Sequence, residues 1–320
     1  MLIFTEDEIR DCVQLDKAVF TSIEKAFTSL AANKVEMPPT LRINIPKNDG
    51  EVVLKTAYIP DDPLFAIKVS SGFFRNYMVG LPSMGGLMLL MNAQNGRPEA
   101  ILYDNGYLTD VRTAVTGAIA ANYLANETID AVGVIGTGSQ ARLQLKALNV
   151  VRNFKRVYAY GRSQKNMFEM KKEIENALQV EVFLAEDAQE VVENSELLIT
   201  ATPSQEAIVK KEWVKRGTHI TAVGADAVYK QELDPQLFQK ATSIVCDEIE
   251  QCRDHGELRI VYEQNVAIDE GKICTLGELI LSKGKGRTDE NDVTIADLTG
   301  TGAQDTQIAL FAYKKLTEEK

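Results

Sequence analysis

Lys68 lies in the apolar stretch Leu64-Phe65-Ala66-Ile67-Lys68-Val69, a segment expected to be substantially buried. A desolvated ammonium is costly unless it is paired or its pKa falls, so this lysine points to a substrate carboxylate or to catalysis. The competing reading is a lysine whose stem follows apolar surface while its charge reaches water. Arg42 in Leu-Arg-Ile-Asn-Ile-Pro and Arg112 near the start of a helical stretch are further cations, and each alone is as readily a surface residue. Asp226, in Val-Gly-Ala-Asp-Ala-Val-Tyr-Lys (223–230), follows a strand-like run at the edge where open α/β sheets bind ligands. It can relay a proton to an amine, or it can cap a helix starting near Lys230 or a turn. His219 and His255 are the only histidines, which argues against most zinc sites and histidine triads. His219 reads as core and His255 as a loop or cap residue. The four cysteines form no CxxC pair, so no metal site is expected.

The strongest constellation is Gly136-Thr137-Gly138-Ser139-Gln140-Ala141, entered from the apolar run 131–135 and left through a helical pattern. Gly136 suits the tight turn, Gly138 lets the backbone approach a pyrophosphate, and Ala141 keeps the helix close to the strand. The helix N-terminus then offers unpaired N–H groups to phosphate oxygens. An ordinary αβ turn or an adenosylmethionine-type site is the alternative. About 20 residues on, where an NAD enzyme places Asp or Glu beside the ribose, this chain has Gly161-Arg162-Ser163. Arg162 and Ser163 can bind a 2′-phosphate, so NAD(P) is expected with NADP favoured over NAD. Otherwise Arg162 is a surface residue stacked on adenine.

These residues need elements to carry them. Residues 4–33 read as a helical start, with Thr5 as the cap. From 39 to 104, short alternating or apolar runs between Pro, Gly, Asn and Asp clusters predict an antiparallel sheet, with a hairpin pairing 87–91 and 100–103 across Asn95-Gly96. A helix over 109–125, capped by Thr109-Asp110, follows. From 130, strand-like and helical stretches alternate as in a doubly wound parallel sheet, and the tail from 303 is helical again.

The 320 residues favour two domains. A net charge of −11 argues against a nucleic-acid partner. No apolar run approaches the ~20 residues of a bilayer span, and Met-Leu-Ile-Phe-Thr-Glu-Asp-Glu lacks the basic and apolar regions of a secretion signal. A cytoplasmic protein is expected.

The chain resembles the ornithine cyclodeaminase/mu-crystallin family in seven ordered blocks: 64–76, 106–125, 134–148, 223–234, Gly-Glu-Leu at 256–258 and at 277–279, and Gly-Thr-Gly-Ala-Gln-Asp-Thr-Gln-Ile-Ala at 300–309. The wording of 102–114 and 138–148 is similar to a bacterial branch associated with ectoine utilisation. The resemblance implies an α/β fold in which a Rossmann domain (115–302) is inserted in an α+β substrate-binding and dimerisation domain (1–114 plus 303–320), working as a homodimer. It implies that Arg42, Lys68 and Arg112 hold the carboxylate and amino group of a small amino acid or cyclic imino acid. Asp226 would be the acid/base residue. Gly136, Thr137, Gly138, Ser139 and Gln140 would line the pyrophosphate, with Arg162 and Ser163 near the ribose. The implied chemistry is hydride transfer at an amino-acid α-carbon with ammonia loss through a cyclic imine. One alternative is a ketimine reductase or amino-acid dehydrogenase, and another is a non-catalytic mu-crystallin-like nucleotide binder. Ala227, Val228 and Tyr229 depart from the Gly- and Pro-rich segment of many cyclodeaminases, which weakens ornithine as the substrate.

Overall fold

Two textures run along this chain, and each builds its own unit. The computed structural model describes residues 1–282 and 286–318. One unit comprises Met1–Arg112 with Thr301–Lys320, the other Thr113–Gly300.

The first unit opens with β1 (Leu2–Phe4) and α1 (Glu6–Cys12). Thr5 is the cap: its hydroxyl accepts from the Glu8 amide while the Glu8 carboxylate accepts from the Thr5 amide. The helical start expected over 4–33 is divided, because Val13 is extended and Asp16 accepts from the amides of Ala18 and Val19 to begin α2 (Lys17–Ala31). Strands β2 (Leu41–Ile45), β3 (Gly50–Ala57), β4 (Leu64–Phe73), β5 (Met84–Asn92) and β6 (Pro98–Leu102) complete a six-stranded sheet of order β1-β6-β5-β4-β3-β2. Pairing is antiparallel except where β1 runs parallel to β6. The hairpin around Gly96 forms as read, with Leu90 opposite Ala100 and Leu89 opposite Ile101. Helix α3 (Tyr107–Leu124) starts earlier than expected. Its first turn is capped not by Thr109-Asp110 but by Asp104, which accepts from the Leu108 amide at 2.8 Å.

The second unit holds β7 (Ala131–Ile135), α4 (Ser139–Val151), β8 (Arg156–Tyr160), α5 (Gln164–Leu178), β9 (Glu181–Leu184), α6 (Ala188–Glu193), β10 (Leu197–Thr200) and β11 (His219–Ala222). After these come β12 (Ser243–Cys246), α7 (Ile249–His255), α8 (Glu257–Glu263), β13 (Ile273–Thr275), α9 (Leu276–Leu281) and β14 (Thr294–Asp297). Its eight strands are all parallel, in the order β13-β12-β14-β11-β10-β7-β8-β9. Strands buried on both faces must be apolar throughout, and β7 and β10 are buried at every position. The order reverses between β7 and β10, the place where such sheets open a crevice at their carboxyl edge.

The last helix, α10 (Gly302–Glu318), packs on α2, β3 and β4 of the first unit. Directly opposed residues in a sheet share a face, so Lys55, Lys68 and Met88 point to the side that α10 covers. Among the described residues, no helix is long and apolar enough to cross a membrane.

Candidate active site

The Lys68 ammonium is buried on the covered face of β4, where it meets Asp305 of α10 at 2.7 Å. Asp305 also faces Arg112 of α3, with Nε at 3.0 Å from its other oxygen. Gln304 joins them: its Oε1 accepts from Arg112 Nη1 at 3.0 Å and from the Thr301 amide at 3.1 Å. Those two donors fix the orientation of the amide, and its buried Nε2 is left without a hydrogen-bond partner among the described residues. Local bonds explain the placement. Thr306 donates its hydroxyl to the Ala57 carbonyl at 2.8 Å and accepts from the Ala66 amide at 3.1 Å, which fastens the first turn of α10 to β3 and β4.

Burial is the largest influence on Lys68 and brings its pKa down to about 7; Asp305 opposes this, while Arg112 and Lys55 add to it. Burial pushes the Asp305 carboxyl up, but Lys68, Arg112 and Lys55 outweigh it and hold the group below the usual carboxylate range. Burial likewise raises Asp104 to about 6, against the backbone amides it accepts from. Two buried cations, Lys68 and Arg112, therefore share one ionised carboxylate beside an unused amide donor on Gln304. Such an arrangement can bind a carboxylate.

Arg42 lies elsewhere on this sheet face, opposite Val53 and paired with Glu51. The structure thus brings Lys68 and Arg112 together but gives Arg42 a carboxylate of its own. Asp104, Gln304, Asp305 and Lys55 were missed in the sequence. Gln304 and Asp305 stood within a recognised block, and the helical period of 302–318 could have shown that they face the sheet.

In the second unit, Gly136 takes φ +115°, and a Cβ there would meet the Ala201 carbonyl at 2.4 Å, so both turn and packing demand glycine. Gly138 is different: a Cβ would meet no protein atom within 4 Å. Gly138 is the N-cap of α4 and contributes no capping side chain to the amide donors of its first turn. Space and donors together fit a phosphate group. These residues line a cleft of about 1150 Å³ with Thr137, Gly161, Arg162, Ser163, Ala201 and Thr202. Arg162 is exposed, and the Ser163 hydroxyl caps α5 by accepting from the Asn166 amide at 3.3 Å. Gln140 accepts from Gln144 Nε2 at 3.4 Å.

Asp226 does not cap a helix. Its side chain is 46% exposed and pairs with Lys230 at 2.6 Å, so it stays accessible in the loop after β11. His219 is a core residue as read, with its ring nitrogens 2.9 Å from the Thr294 and Thr221 hydroxyls, and burial lowers its pKa to about 3. Cys246, Cys252 and Asp297 place ligand-type atoms within 4.8 Å of one another. Asp297 already accepts from two backbone amides, and burial holds the Cys252 thiol protonated, so the group reads as packing.

A Rossmann-like unit whose first helix opens on a glycine turn, and an α+β unit with a buried cationic pocket, define a two-unit α/β chain. The chain belongs to the ornithine cyclodeaminase/mu-crystallin family, whose model matches residues 2–320. It is 42% identical to an uncharacterised cyclodeaminase of Sinorhizobium fredii over 99% of this chain and 96% of that one. The structure of Thermococcus litoralis Δ1-pyrroline-2-carboxylate reductase, in complex with NADH and L-proline, superposes with a TM-score of 0.94 at 32% identity, covering 100% of this chain and 98% of that one. An archaeal alanine dehydrogenase dimer with bound NAD gives 0.91 at 32% identity, covering 100% and 97%.

Proposed function

We propose that the protein is an NAD(P)-dependent enzyme acting at the α-carbon of a small amino acid, in the direction of ketimine reduction or amino-acid dehydrogenation. The observation that carries this reading is the Lys68–Asp305–Arg112 cluster. Burying two cations around one carboxylate is expensive if nothing else is to be bound, and a nucleotide-storage role would not require it. A substrate carboxylate supplies the missing negative charge and an acceptor for Gln304 Nε2. The similarity to an NADH- and L-proline-binding reductase and to an alanine dehydrogenase supports substrates of that class.

A bound reduced nicotinamide would supply hydride to the imine carbon. The chain's residues do the rest. Lys68 and Arg112 hold the carboxylate and so orient the α-carbon, a positioning effect worth several powers of ten in rate. Asp226 and its partner Lys230 hold or deliver a proton for the substrate nitrogen. The cofactor cleft favours NADP over NAD in this reading, since Arg162 and Ser163 stand where a ribose-binding carboxylate is otherwise placed. Arg162→Ala is expected to weaken NADPH more than NADH in fluorescence titrations, and equal losses would refute the preference.

A second reading, cyclodeamination as in the ectoine-associated branch, draws on the Sinorhizobium relative's name. The deciding experiment offers pyrroline-2-carboxylate, pyruvate with ammonia, ornithine and 2,4-diaminobutyrate in turn. Net oxidation of reduced nicotinamide with the first two supports the reductase or dehydrogenase. Ammonia release from a diamino acid without net cofactor change supports the cyclodeaminase.

A homodimer fits the same reading. The uncovered face of the first sheet carries Ile67, Val69, Leu87 and Leu89 in part-exposed positions, and Leu41 and Ile43 at its edge are 52% and 50% exposed. An apolar face of that kind marks an association surface. Sedimentation of the wild type as a dimer and of Ile43→Glu as a monomer is expected.

A further inference from the structure

Of the buried carboxylates of the second unit that the proposed chemistry leaves unused, Glu232, Glu257 and Asp297 form a chain under its loops. Glu232 is fully buried. Its Oε2 accepts from the Thr200 hydroxyl at 2.7 Å and the Gly224 amide at 2.9 Å, and its Oε1 accepts from the Thr202 amide at 2.6 Å. Its carbonyl accepts from the amides of Ile208 at 2.8 Å and Val209 at 3.0 Å. One residue thus fastens the loop after β10, the loop after β11 and the segment at 208–209. Glu257, in the first turn of α8, holds Glu232 in turn by accepting from the amides of Glu232 at 2.7 Å and Leu233 at 3.1 Å. Asp297 caps α8 from the end of β14, accepting from Glu257 at 3.1 Å and Leu258 at 3.0 Å. The lacing leaves no slack: a Cβ on Gly224 would lie 2.3 Å from the Thr202 carbonyl and 2.5 Å from Glu232 Cδ.

The donors to the Glu232 carboxyl are a hydroxyl and two backbone amides, all neutral, and burial raises the group above the usual range. Apolar packing would serve stability alone at lower cost. What the carboxylate achieves instead is geometry, because it takes several donors of irregular backbone at once. Thr202 lines the dinucleotide cleft, and Gly224 stands two residues before Asp226. We propose that Glu232 is a positioning residue that ties the floor of the cofactor cleft to the Asp226 loop, so that changes at 232 alter both dinucleotide affinity and turnover. This rests on, and deepens, the dinucleotide reading of the cleft.

NADH and NADPH are titrated by nicotinamide fluorescence against the wild type, Glu232→Gln, Thr200→Val and Ser195→Ala, each confirmed as folded by circular dichroism. Ser195 serves as the comparison: it is buried at the amino end of β10, on the opposite edge of the sheet, and its hydroxyl donates to the Val191 carbonyl at 2.5 Å. Glu232→Gln is expected to raise Kd about tenfold or more, since it leaves a buried donor unmatched, and Thr200→Val about threefold. Ser195→Ala is expected to lower Tm with Kd unchanged. With a substrate the wild type turns over, Glu232→Gln should also lower kcat with little change in substrate KM. Wild-type Kd in both loop variants, or an equal loss in Ser195→Ala, overturns the positioning role and leaves the dinucleotide reading standing. Failure of the wild type to bind either nucleotide overturns both. Should Glu232→Gln not fold, Thr200→Val decides alone.

Discussion

Asp305 is the residue on which the substrate pocket turns, although it touches no substrate in the proposed chemistry. Its two oxygens separate Lys68 from Arg112, and removing its charge would leave cations buried without compensation. Asp305→Asn is therefore expected to destabilise the protein by ~3–5 kcal/mol, read from chemical denaturation. A loss under ~1 kcal/mol would mean that water already screens the cluster. Lys68 makes a pH prediction whose sign follows from its role. Its charged form binds a carboxylate and predominates below a pKa of about 7, so substrate binding is lost as pH rises through that value. Accordingly, kcat/KM should decline above about 7, and Lys68→Arg, which stays charged, should remove that limb. A rise across the same range would instead assign Lys68 as a base.

Among the elements, the glycine turn before α4 separates folding from binding. Gly136→Ala violates a positive φ and strikes the Ala201 carbonyl, so a marked loss in Tm is expected. Gly138→Ala fills only open space, so Tm should hold while NADH affinity falls about tenfold, the cost of displacing a backbone-to-phosphate approach. A stable Gly138→Ala protein with wild-type affinity would move the phosphate away from this turn. The elements were largely legible because their runs are clean: β7 and 197–199 of β10 are continuous apolar runs, and β3 to β5 are alternating or apolar runs bounded by turn residues. Legibility ended at helix boundaries, where single local side-chain caps decide, and where tertiary partners decide. Asp16 divides the first helical stretch with a local side-chain bond, and the cap of α3 is Asp104, ahead of its first turn. Lys68 could be suspected from its apolar neighbours and the inward face of Asp305 from helical period, whereas the pairing of the two could not, because the partners of Asp305 lie more than 190 positions away in sequence and depend on how α10 lies across the sheet. Arg42 illustrates the reverse: its pairing with Glu51 depends on the β2–β3 register.

Across the molecule, the buried acids of the second unit set a pH dependence of stability. Burial raises Asp297 from 3.8 to about 7, while Glu257 stands well above its ordinary range for the same reason. The folded state thus holds protons that the unfolded chain has released, so stability should fall as pH rises between about 4 and about 7. Asp297→Asn should flatten that slope in melting curves, and an unchanged slope would place the titration elsewhere. In the proposed function the first unit anchors a carboxylate and the second a nicotinamide, each separable by mutation. The most direct measurement is steady oxidation of NADPH or NADH with pyrroline-2-carboxylate, or with pyruvate and ammonia, by wild type, Lys68→Ala and Arg112→Ala, alongside dinucleotide Kd. The account predicts turnover by the wild type, a drop in kcat/KM of about 100-fold or more in both variants, and nearly unchanged Kd. Equal rates in all three proteins, or loss of dinucleotide binding in step with turnover, would contradict it.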